Sequence, residues 1–333
     1  MKILVTGGRG TVGSVLVDEL QARGHQVVSC DLDHGDREVG YSLRTDVPDA
    51  DYVRCDVGSY RQLERLFDTM GPFDCVYHLA AEFGRWNGED FYEQVWQSNA
   101  IGTKNVIRLQ EKHRFRLVHF SSSEVYGDWP ELMYEDVPDK YAIRQMNDYA
   151  LSKWVNECQI HNSRIQYGTE SVVVRLFNTY GPGEYYSPYR SVNCRMIYCA
   201  LMGLPWVVFR GYFRTSTYVT DTVRTLANIV DNFRPGETYN IAGDQYHSIE
   251  EFSDLVLRAT GADPSLVEYR DEEVLTTRIK KVDNTKAVEH LGHRSEVSLE
   301  EGVYRTVEWM RGVYLERAGQ RHPAHDPVFS SVG

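Results

Sequence analysis

The sequence predicts an α/β fold, a Rossmann-type doubly wound parallel sheet with a smaller, interleaved C-terminal substrate domain. Three observations support this class. Short β-branched runs alternate with amphipathic stretches in the first half of the 333-residue chain, a glycine-rich turn follows the first run, and the regular alternation ends near residue 182. Alternating strands and helices favour a parallel sheet, because each parallel connection needs a crossover.

The individual elements follow from hydrophobic periodicity. Apolar, β-branched runs predict strands at 3–5, 27–30, 52–55, 75–79, 117–120 and 171–176. Helical spacing of apolar residues predicts helices at 12–23, 60–70, 92–113 and 149–167. In the less regular second half we expect further helices at 194–202, 249–260 and 299–314, and strands at 206–209 and 238–241.

The pattern also predicts interleaved domains. We expect a dinucleotide-binding domain over residues 1–182, to which the chain returns near 211–242. The segments 183–210 and 243–317 then form a smaller substrate-binding domain, and the tail at 318–333, rich in Gly, Pro, His and Ser, is expected to be loose.

Composition narrows the possible partners. The formal net charge of −12 argues against nucleic acid or an acidic membrane surface, since both are bound by clustered Lys and Arg. The six cysteines show no C-x-x-C spacing, so we expect reduced thiols and no metal site. No segment approaches the roughly 20 apolar residues of a membrane helix, and no leader-like segment precedes the first strand. A cytoplasmic location is therefore expected.

The glycine-rich turn carries the first functional signal. It reads Gly7-Gly8-Arg9-Gly10-Thr11-Val12-Gly13, has the form G-x-x-G-x-x-G and stands between a predicted strand and a predicted helix. Glycines there permit a tight turn and close approach of the backbone to a pyrophosphate, and the helix N-terminus offers free N–H groups. The turn therefore predicts a dinucleotide site.

Asp31 ends the second predicted strand about 20 residues further on, where a carboxylate accepts hydrogen bonds from ribose hydroxyls and repels a 2′-phosphate. This favours NAD over NADP. Arg9 favours NADP instead, because an arginine in the turn could bind a 2′-phosphate. It could equally be a solvated loop residue.

A second group of residues predicts acid–base chemistry. Tyr149 and Lys153 are four residues apart and share one helix face, so the ammonium is expected to lower the tyrosine pKa. Tyr149 is then a candidate general base. A serine of the run Ser121-Ser122-Ser123, at the end of the neighbouring strand, could hydrogen-bond the same substrate oxygen.

Together these motifs resemble the extended short-chain dehydrogenases that modify nucleotide sugars, the group of epimerases, 4,6-dehydratases and uronate decarboxylases. The resemblance extends from residue 2 to about residue 314. It is carried by GGRGTVG, CDV at 55–57, HLAA at 78–81, SNAIGTKNV at 98–106, SSSEVYG at 121–127, YALSK at 149–153, RLFNTYGPGE at 175–184 and RTSTYVTD at 214–221.

The resemblance implies NAD as cofactor, a nucleotide diphosphate sugar as ligand and a homodimer. By position, Asp56 and Val57 are expected to flank the adenine, and Asn99 to support the strand and an active-site water. The remaining cofactor contacts are implied for Gly7, Gly10, Thr11, Val12, Gly13, Asp31, Leu79, Ala80, Ala81, Tyr149 and Lys153.

For the reaction, the resemblance implies catalysis by Ser122, Ser123, Glu124, Tyr149 and Lys153. It implies contacts to the sugar diphosphate by Asn178 and Arg214, and Arg278 in TTRIKKVD resembles an arginine of some decarboxylases. Asn178 could instead cap a turn, and Arg214 could be a surface charge. The sequence departs from relatives at 209–213 and at Arg195, so the base and the sugar stay open.

The expected chemistry begins with oxidation of the sugar, most often at C4. The resulting ketone can be reduced from its other face, lose water or lose carbon dioxide. Glu124 directly follows Ser122-Ser123 and favours a Glu-assisted dehydration or decarboxylation, although it could simply anchor the loop. The alternatives are a redox-neutral 4-epimerase, an NADPH-dependent reductase and a non-catalytic NAD-binding scaffold.

Overall fold

A computed structural model describes residues 1–32 and 51–317. Its strands are β1 (Lys2–Thr6), β2 (Gln26–Asp31), β3 (Asp51–Arg54), β4 (Cys75–His78), β5 (Arg116–Ser122), β6 (Ser171–Leu176), β7 (Thr179–Tyr180), β8 (Trp206–Phe209), β9 (Phe213–Thr215), β10 (Thr217–Tyr218), β11 (Thr238–Ile241), β12 (Tyr246–Ser248) and β13 (Val267–Arg270).

The α-helices are α1 (Thr11–Ala22), α2 (Tyr60–Met70), α3 (Arg85–Asp90), α4 (Tyr92–Val95), α5 (Gly102–His113), α6 (Val137–Lys140), α7 (Asp148–Tyr167), α8 (Val192–Met202), α9 (Val219–Asn228), α10 (Ile249–Thr260), α11 (Thr285–Leu291) and α12 (Leu299–Arg311). Short π-helical segments occupy Trp96–Ile101 and Gly312–Arg317, and 3-10 turns occupy Ser123–Tyr126 and Pro264–Leu266.

The predicted α/β class is confirmed by a parallel sheet of seven strands in the order β11-β6-β5-β4-β1-β2-β3. Ile3 of β1 lies opposite Val27 on one side and Cys75 on the other. These strands are apolar and buried because helices cover both faces of the sheet. The strand order reverses beside β1, and in such sheets ligands bind outside the carboxyl ends of the strands at this point.

Two apolar layers hold the helices to the sheet. On one face, Leu16 and Leu20 of α1 pack with Val223 and Leu226 of α9. On the other face, the layer includes Leu63 of α2 and side chains of α5 and α7. The sheet is thereby fixed from both sides, and the loops at its carboxyl edge project from a rigid base.

A separate apolar cluster joins α8, α10 and α12. Its centre contains Ile197, Phe252, Val256 and Val303, all fully buried. Tyr180 of β7 also belongs to this cluster, and its hydroxyl donates to the Leu299 carbonyl at 3.2 Å. The cluster therefore includes part of β7, the short strand that follows β6 of the sheet.

Most predicted elements are confirmed, and the differences are local. The helix expected over 92–113 begins as α4, passes through the π-helical segment Trp96–Ile101 and continues as α5. A π-turn inserts one extra residue into the helix and often marks a functional position, and this one carries Asn99. The short pairs β7–β10 and β9–β12 were not expected, because strands of two or three residues leave no periodic signal.

Among residues 1–32 and 51–317, no helix has the length and apolar character needed to cross a membrane. The tail predicted to be loose, at 318–333, lies outside the described residues.

Candidate active site

A cleft of about 330 Å³ opens at the carboxyl edge of the sheet. Its floor is formed by the turn after β1 and by the ends of β4, β5 and β6. Its opposite wall comes from three segments outside the sheet, at 83–86, 189–195 and 273–280. The cleft thus lies between the carboxyl edge of the sheet and segments that are not part of the sheet.

The glycine-rich turn lies at one end of the cleft and fits a pyrophosphate. Gly7 has a φ of +71°, and a Cβ there would stand 2.7 Å from the Ala80 nitrogen. A Cβ on Gly13 would stand 2.1 Å from the Gly7 oxygen, so the helix can approach the turn only with glycine at this position. In the described part of the chain no side chain caps the N-terminus of α1, which leaves its N–H groups directed at the cleft.

Asp31 ends β2 beside this turn. Its carboxylate accepts hydrogen bonds from the backbone nitrogens of Arg9 at 3.0 Å and Leu32 at 2.8 Å. The Arg9 guanidinium lies over the Tyr52 ring, 3.4 Å from its centroid. The carboxylate therefore stands at the strand end expected for a ribose ligand, and Arg9 stacks on an aromatic ring in this structure.

The other cofactor candidates occupy adjacent strand ends. Asp56 follows β3 and accepts from the Gly58 nitrogen at 2.8 Å, and Val57 is buried against α5 at Gly102. After β4, Leu79 and Ala81 line the cleft, and Ala80 stands between them against Gly7. Asp56 and Val57 are not part of the cleft wall.

Asn99 braces the segment that follows β4. Its amide oxygen accepts from the Glu82 nitrogen at 2.8 Å, and its amide nitrogen donates to the Glu82 oxygen and to Ser152 Oγ, each at 3.0 Å. The side chain thus connects the segment that follows β4 to Ser152 of α7, the residue before Lys153. This position agrees with a supporting role.

The catalytic candidates converge at the centre of the cleft. Ser122 is the last residue of β5, and its side chain lies close enough to the Tyr149 phenol to lower the pKa of that group. Lys153 lies one turn further along α7, with Nζ 5.8 Å from the centroid of the Tyr149 ring, and donates to the Phe120 oxygen at 2.9 Å. Ser123 is buried and also lines the cleft.

The electrostatics differ from the expectation based on spacing. Burial raises the pKa of Tyr149, and the nearby Ser122 side chain only partly opposes this. Burial also lowers the pKa of Lys153 to about 8, against the raising effect of Glu157. The expected lowering of the tyrosine pKa by the ammonium is therefore wrong for this structure, because desolvation is the larger effect.

Glu124 enters the same cleft and forms an ion pair that the sequence did not reveal. Its carboxylate binds the ammonium of Lys280, a buried residue 156 positions further along the chain. Burial alone would raise the pKa of Glu124, but Lys280 and Arg214 hold it below its usual value. Glu124 is therefore an ionised carboxylate.

Asn178 and Arg214 both line the cleft. Asn178 has a φ of +41°, which agrees with its position in a tight turn, and its backbone oxygen accepts from the Thr217 nitrogen at 3.3 Å. Arg214 is buried, and its Nη1 donates to the Phe213 oxygen at 2.8 Å and the Arg278 oxygen at 3.2 Å. Arg214 is thus not the surface charge considered as an alternative.

Arg278 requires a correction, because it does not line the cleft. Its side chain is exposed, donates from Nε to the Gly211 oxygen at 3.3 Å and lies 5.7 Å from the centroid of the Tyr212 ring. The cation that this segment places in the cleft is Lys280, two residues later. Both residues belong to the quoted TTRIKKVD motif, but strand pairing with Phe213 decides which one points inward.

Five further charged residues of the cleft were not selected as site residues from the sequence: Arg85, Glu184, Arg190, Arg195 and Glu273. Arg85 lies 3.7 Å from Glu273 in an ion pair, and burial raises the pKa of Glu273 against the effects of Arg214, Arg85 and Arg195. Arg190 and Arg195 enter from the segment before and within α8. Of these arginines, only Arg195 had a signal in the sequence, as a departure from relatives.

The described wall of the cleft carries more basic than acidic side chains. Its basic members are Arg85, Lys153, Arg190, Arg195, Arg214 and Lys280, and its acidic members are Glu124, Glu184 and Glu273. A local positive excess in a chain of net charge −12 favours a polyanionic ligand in this cleft.

Comparisons with known proteins agree with this arrangement. The sequence model of the NAD dependent epimerase/dehydratase family matches residues 3–242. The chain is 29% identical over 322 residues to UDP-N-acetyl-alpha-D-glucosaminuronate decarboxylase of Bacillus cytotoxicus, covering 94% of this chain and 98% of that protein. It is 27% identical over 343 residues to dTDP-glucose 4,6-dehydratase of Salmonella typhimurium, covering 93% and 92%.

Among solved structures, the chain is similar to UDP-glucose 4-epimerase of Thermus thermophilus in complex with NAD. The TM-score is 0.81 at 27% identity, covering 94% of this chain and 99% of the other. The similar proteins thus carry out three different net reactions on nucleotide sugars.

Proposed function

The chain belongs to the NAD dependent epimerase/dehydratase family, and on that premise we propose that it oxidises a nucleotide-linked sugar at C4 and then uses Glu124 in a dehydration or a decarboxylation. The observation that carries this proposal is the junction, in one cleft, of the Ser122–Tyr149 pair with the Glu124–Lys280 ion pair. An oxidation site alone needs no second acid or base.

NAD, the family's cofactor, takes up a hydride from the sugar carbon when it is bound. In our proposal the turn at Gly7, Gly10 and Gly13 and the start of α1 bind its pyrophosphate. Asp31 accepts hydrogen bonds from the adenosine ribose. Support comes from the uncapped helix N-terminus at the cleft and from the place of Asp31 at the end of β2.

In the first step, Tyr149 acts as its phenolate, which accepts the proton of the sugar hydroxyl while Ser122 hydrogen-bonds the same oxygen. The positive charges of Lys153 and of bound NAD would favour the phenolate against the burial that raises the pKa of Tyr149. Both side chains line the same cleft, and Ser122 is close enough to Tyr149 to lower its pKa, which supports this pairing. Lys153 orients the site through its bond to the Phe120 carbonyl. The product of this step is a ketone.

In the second step, the Glu124 carboxylate removes the C–H proton next to the ketone in a dehydration, in which the neighbouring hydroxyl leaves as water. In a decarboxylation it faces the C–C bond that breaks as carbon dioxide leaves, and the resulting enolate takes up a proton. In both cases the sugar finally takes back the hydride, so that the net reaction consumes no NAD. A ketone acidifies the neighbouring C–H bonds and weakens a carboxylate one carbon further away, so either water or carbon dioxide can leave. The Glu124 side chain lines the cleft two residues from Ser122, which supports a role next to the same sugar carbon. The relatives include one enzyme named for each of these reactions.

We assign the diphosphate of the ligand to Arg214, with Asn178 beside it and with Arg190 and Arg195 as further cations of the same wall. Guanidinium groups suit phosphate oxygens because they donate two parallel hydrogen bonds. Arg278 has no part in this assignment.

A simple 4-epimerase is the second candidate. It is supported by the hydrogen bond from the Glu124 backbone nitrogen to Ser122 Oγ, which holds the turn whatever side chain stands at this position. If anchoring is its whole contribution, Ser122, Tyr149 and Lys153 suffice for transient oxidation.

A panel of nucleotide sugars separates these readings. UDP-glucose, UDP-glucuronic acid and dTDP-glucose are incubated with the enzyme and either NAD or NADPH, and the masses of the products are measured by mass spectrometry. Loss of water or of carbon dioxide supports the proposal. An isomer of unchanged mass supports the 4-epimerase, stoichiometric consumption of NADPH a reductase, and no product from any member a scaffold.

We further propose a homodimer formed through α5 and α7. Exposed apolar side chains on this side include Leu151 and Ile165 of α7, Ile101 of the π-helical segment that leads into α5, and Tyr92 of α4. Exposed apolar side chains on adjacent helices favour a protein interface. Sedimentation of the wild type should show a dimer, and Leu151→Arg should dissociate into monomers at a higher protein concentration than the wild type does. A monomeric wild type would contradict the proposal.

We also propose that the protein works in the cytoplasm. All six cysteines are free thiols in the structure, and two of them, Cys30 and Cys55, are buried neighbours that form no disulfide. Reduced thiols are the rule in reducing compartments. Localisation of a fluorescent fusion in the source cells tests this.

A further inference from the structure

Lys280 is a buried cation whose place is set by the backbone around it. Its nitrogen donates to the Phe213 oxygen at 3.1 Å, and its oxygen accepts from Thr215 Oγ1 at 2.9 Å, so both backbone groups are bound to β9. Its side chain is 4% exposed and points into the cleft. A charge this buried is stable only with a partner, and that partner is Glu124.

The surroundings of the pair are fully charged or polar. Glu124 faces Lys280 and Arg214 as cations, Asn147 as a hydrogen-bond partner, and the Tyr149 phenol and the Glu273 carboxylate as further titratable groups. Lys280 faces Glu124, Arg214 and Glu273. Of the two cations, only Lys280 contacts the Glu124 carboxylate directly.

We propose that Lys280 is a positioning residue that holds Glu124 as an ionised carboxylate, aimed at the sugar, for the step that follows oxidation. The inference rests on the proposed function, because it assigns the working form of Glu124 in the second step. Its support is geometric: a buried ammonium, whose backbone is fixed on β9, binds the carboxylate of a residue whose backbone nitrogen is hydrogen-bonded to Ser122.

We therefore expect the first step to be independent of Lys280 and the second step to depend on it. Oxidation depends on Ser122, Tyr149 and Lys153, none of which contacts Lys280 in the described structure. Removing the Lys280 charge should therefore leave oxidation in place and withdraw the charge that keeps Glu124 ionised. Protonation of Glu124 would then occur at higher pH, since burial favours its neutral form.

Lys280→Met removes the charge with little change of volume, and Lys280→Arg is the matched control that keeps it. In single turnovers with the panel sugar that gives product, NADH formation reports the first step and NADH reoxidation the second. For Lys280→Met we expect NADH formation within about threefold of the wild type. In Lys280→Met, the fall in the rate of the second step at low pH should set in at a pH that is higher by roughly one to three units. Lys280→Arg should keep the pH dependence of the wild type.

A substrate-free measurement accompanies the kinetics. Infrared difference spectra recorded during a pH titration follow the Glu124 carboxylate directly. They are taken for the wild type and for Lys280→Met, and in each case the same protein carrying Glu124→Gln is the blank. Protonation of Glu124 at higher pH in Lys280→Met supports the inference, and an unchanged midpoint overturns it. An equal loss of both steps in Lys280→Met also overturns it, since the residue is then structural.

Failure of the proposed function looks different. A wild-type product of unchanged mass would refute the second step itself, whatever the infrared titration shows. A wild-type product that has lost water or carbon dioxide, together with an unchanged pH dependence of the second step in Lys280→Met, would refute only the role of Lys280.

Discussion

The backbone nitrogen of Glu124 donates a hydrogen bond to Ser122 Oγ at 3.2 Å. The same serine side chain lies near the Tyr149 phenol and lowers its pKa. One 3-10 turn, Ser123–Tyr126, thus joins the residues proposed for oxidation to the residue proposed for the step after it. A substitution on this turn can separate the two steps only if it preserves the backbone, which guides the choice of variants.

Cofactor preference should follow from Asp31. We expect the protein to bind NAD more tightly than NADP by about tenfold or more, because a carboxylate beside a 2′-phosphate is a repulsive like-charge pair. Titration of both cofactors into the purified protein measures this. Asp31→Ser should narrow the difference, and tighter binding of NADP by the wild type would instead identify Arg9 as a phosphate ligand.

Arg214 and Arg278 form a matched pair for the diphosphate assignment. Arg214→Ala should raise the KM of the nucleotide sugar by roughly ten- to a hundredfold, since a hydrogen bond to a charged group contributes about 1.5–3 kcal/mol. Arg278→Ala should leave KM close to the wild-type value, because its side chain is outside the cleft. NAD affinity should not change in either variant, and a larger effect at Arg278 would place the diphosphate elsewhere.

The contrast between these arginines shows how far sequence reasoning extends. The strands, the glycine turn and the Tyr149–Lys153 spacing depend on contacts between near neighbours in sequence, and the sequence predicts them. Lys280 meets Glu124 across 156 residues, through a one-residue bridge between Phe213 and Ile279. Its inward direction depends on this register, so the motif TTRIKKVD alone does not show that Lys280, rather than Arg278, lines the cleft.

The pKa of Tyr149 shows a second limit. Helical spacing correctly places Tyr149 and Lys153 on one face, but it contains no information on burial. Lys153 bonds the Phe120 carbonyl, and desolvation decides the direction of the tyrosine shift. The residues of a site can be read from a pattern, whereas the balance of desolvation and charge requires the fold.

The buried pair of Arg175 and Glu157 should be a major stabilising contact. Arg175 Nη2 lies 2.6 Å from Glu157 Oε2, with side chains 3% and 9% exposed. Arg175→Leu leaves a buried carboxylate unpaired and should lower the free energy of unfolding by about 3–5 kcal/mol. The control is Arg305→Ala at the exposed Glu301 pair, where we expect less than about 1 kcal/mol; urea unfolding that ranks them equally would contradict this account.

The central claim is that Tyr149 makes the ketone and that Glu124 acts only afterwards. The most direct test is the absorbance of NADH in single turnovers of Tyr149→Phe and Glu124→Gln, with the panel sugar that the wild type converts. We expect no NADH and no product from Tyr149→Phe. We expect NADH and the keto sugar to accumulate without product in Glu124→Gln, because its amide keeps the shape of the side chain but cannot exchange a proton. Normal turnover by Glu124→Gln would contradict the claim and make Glu124 a structural residue of the loop.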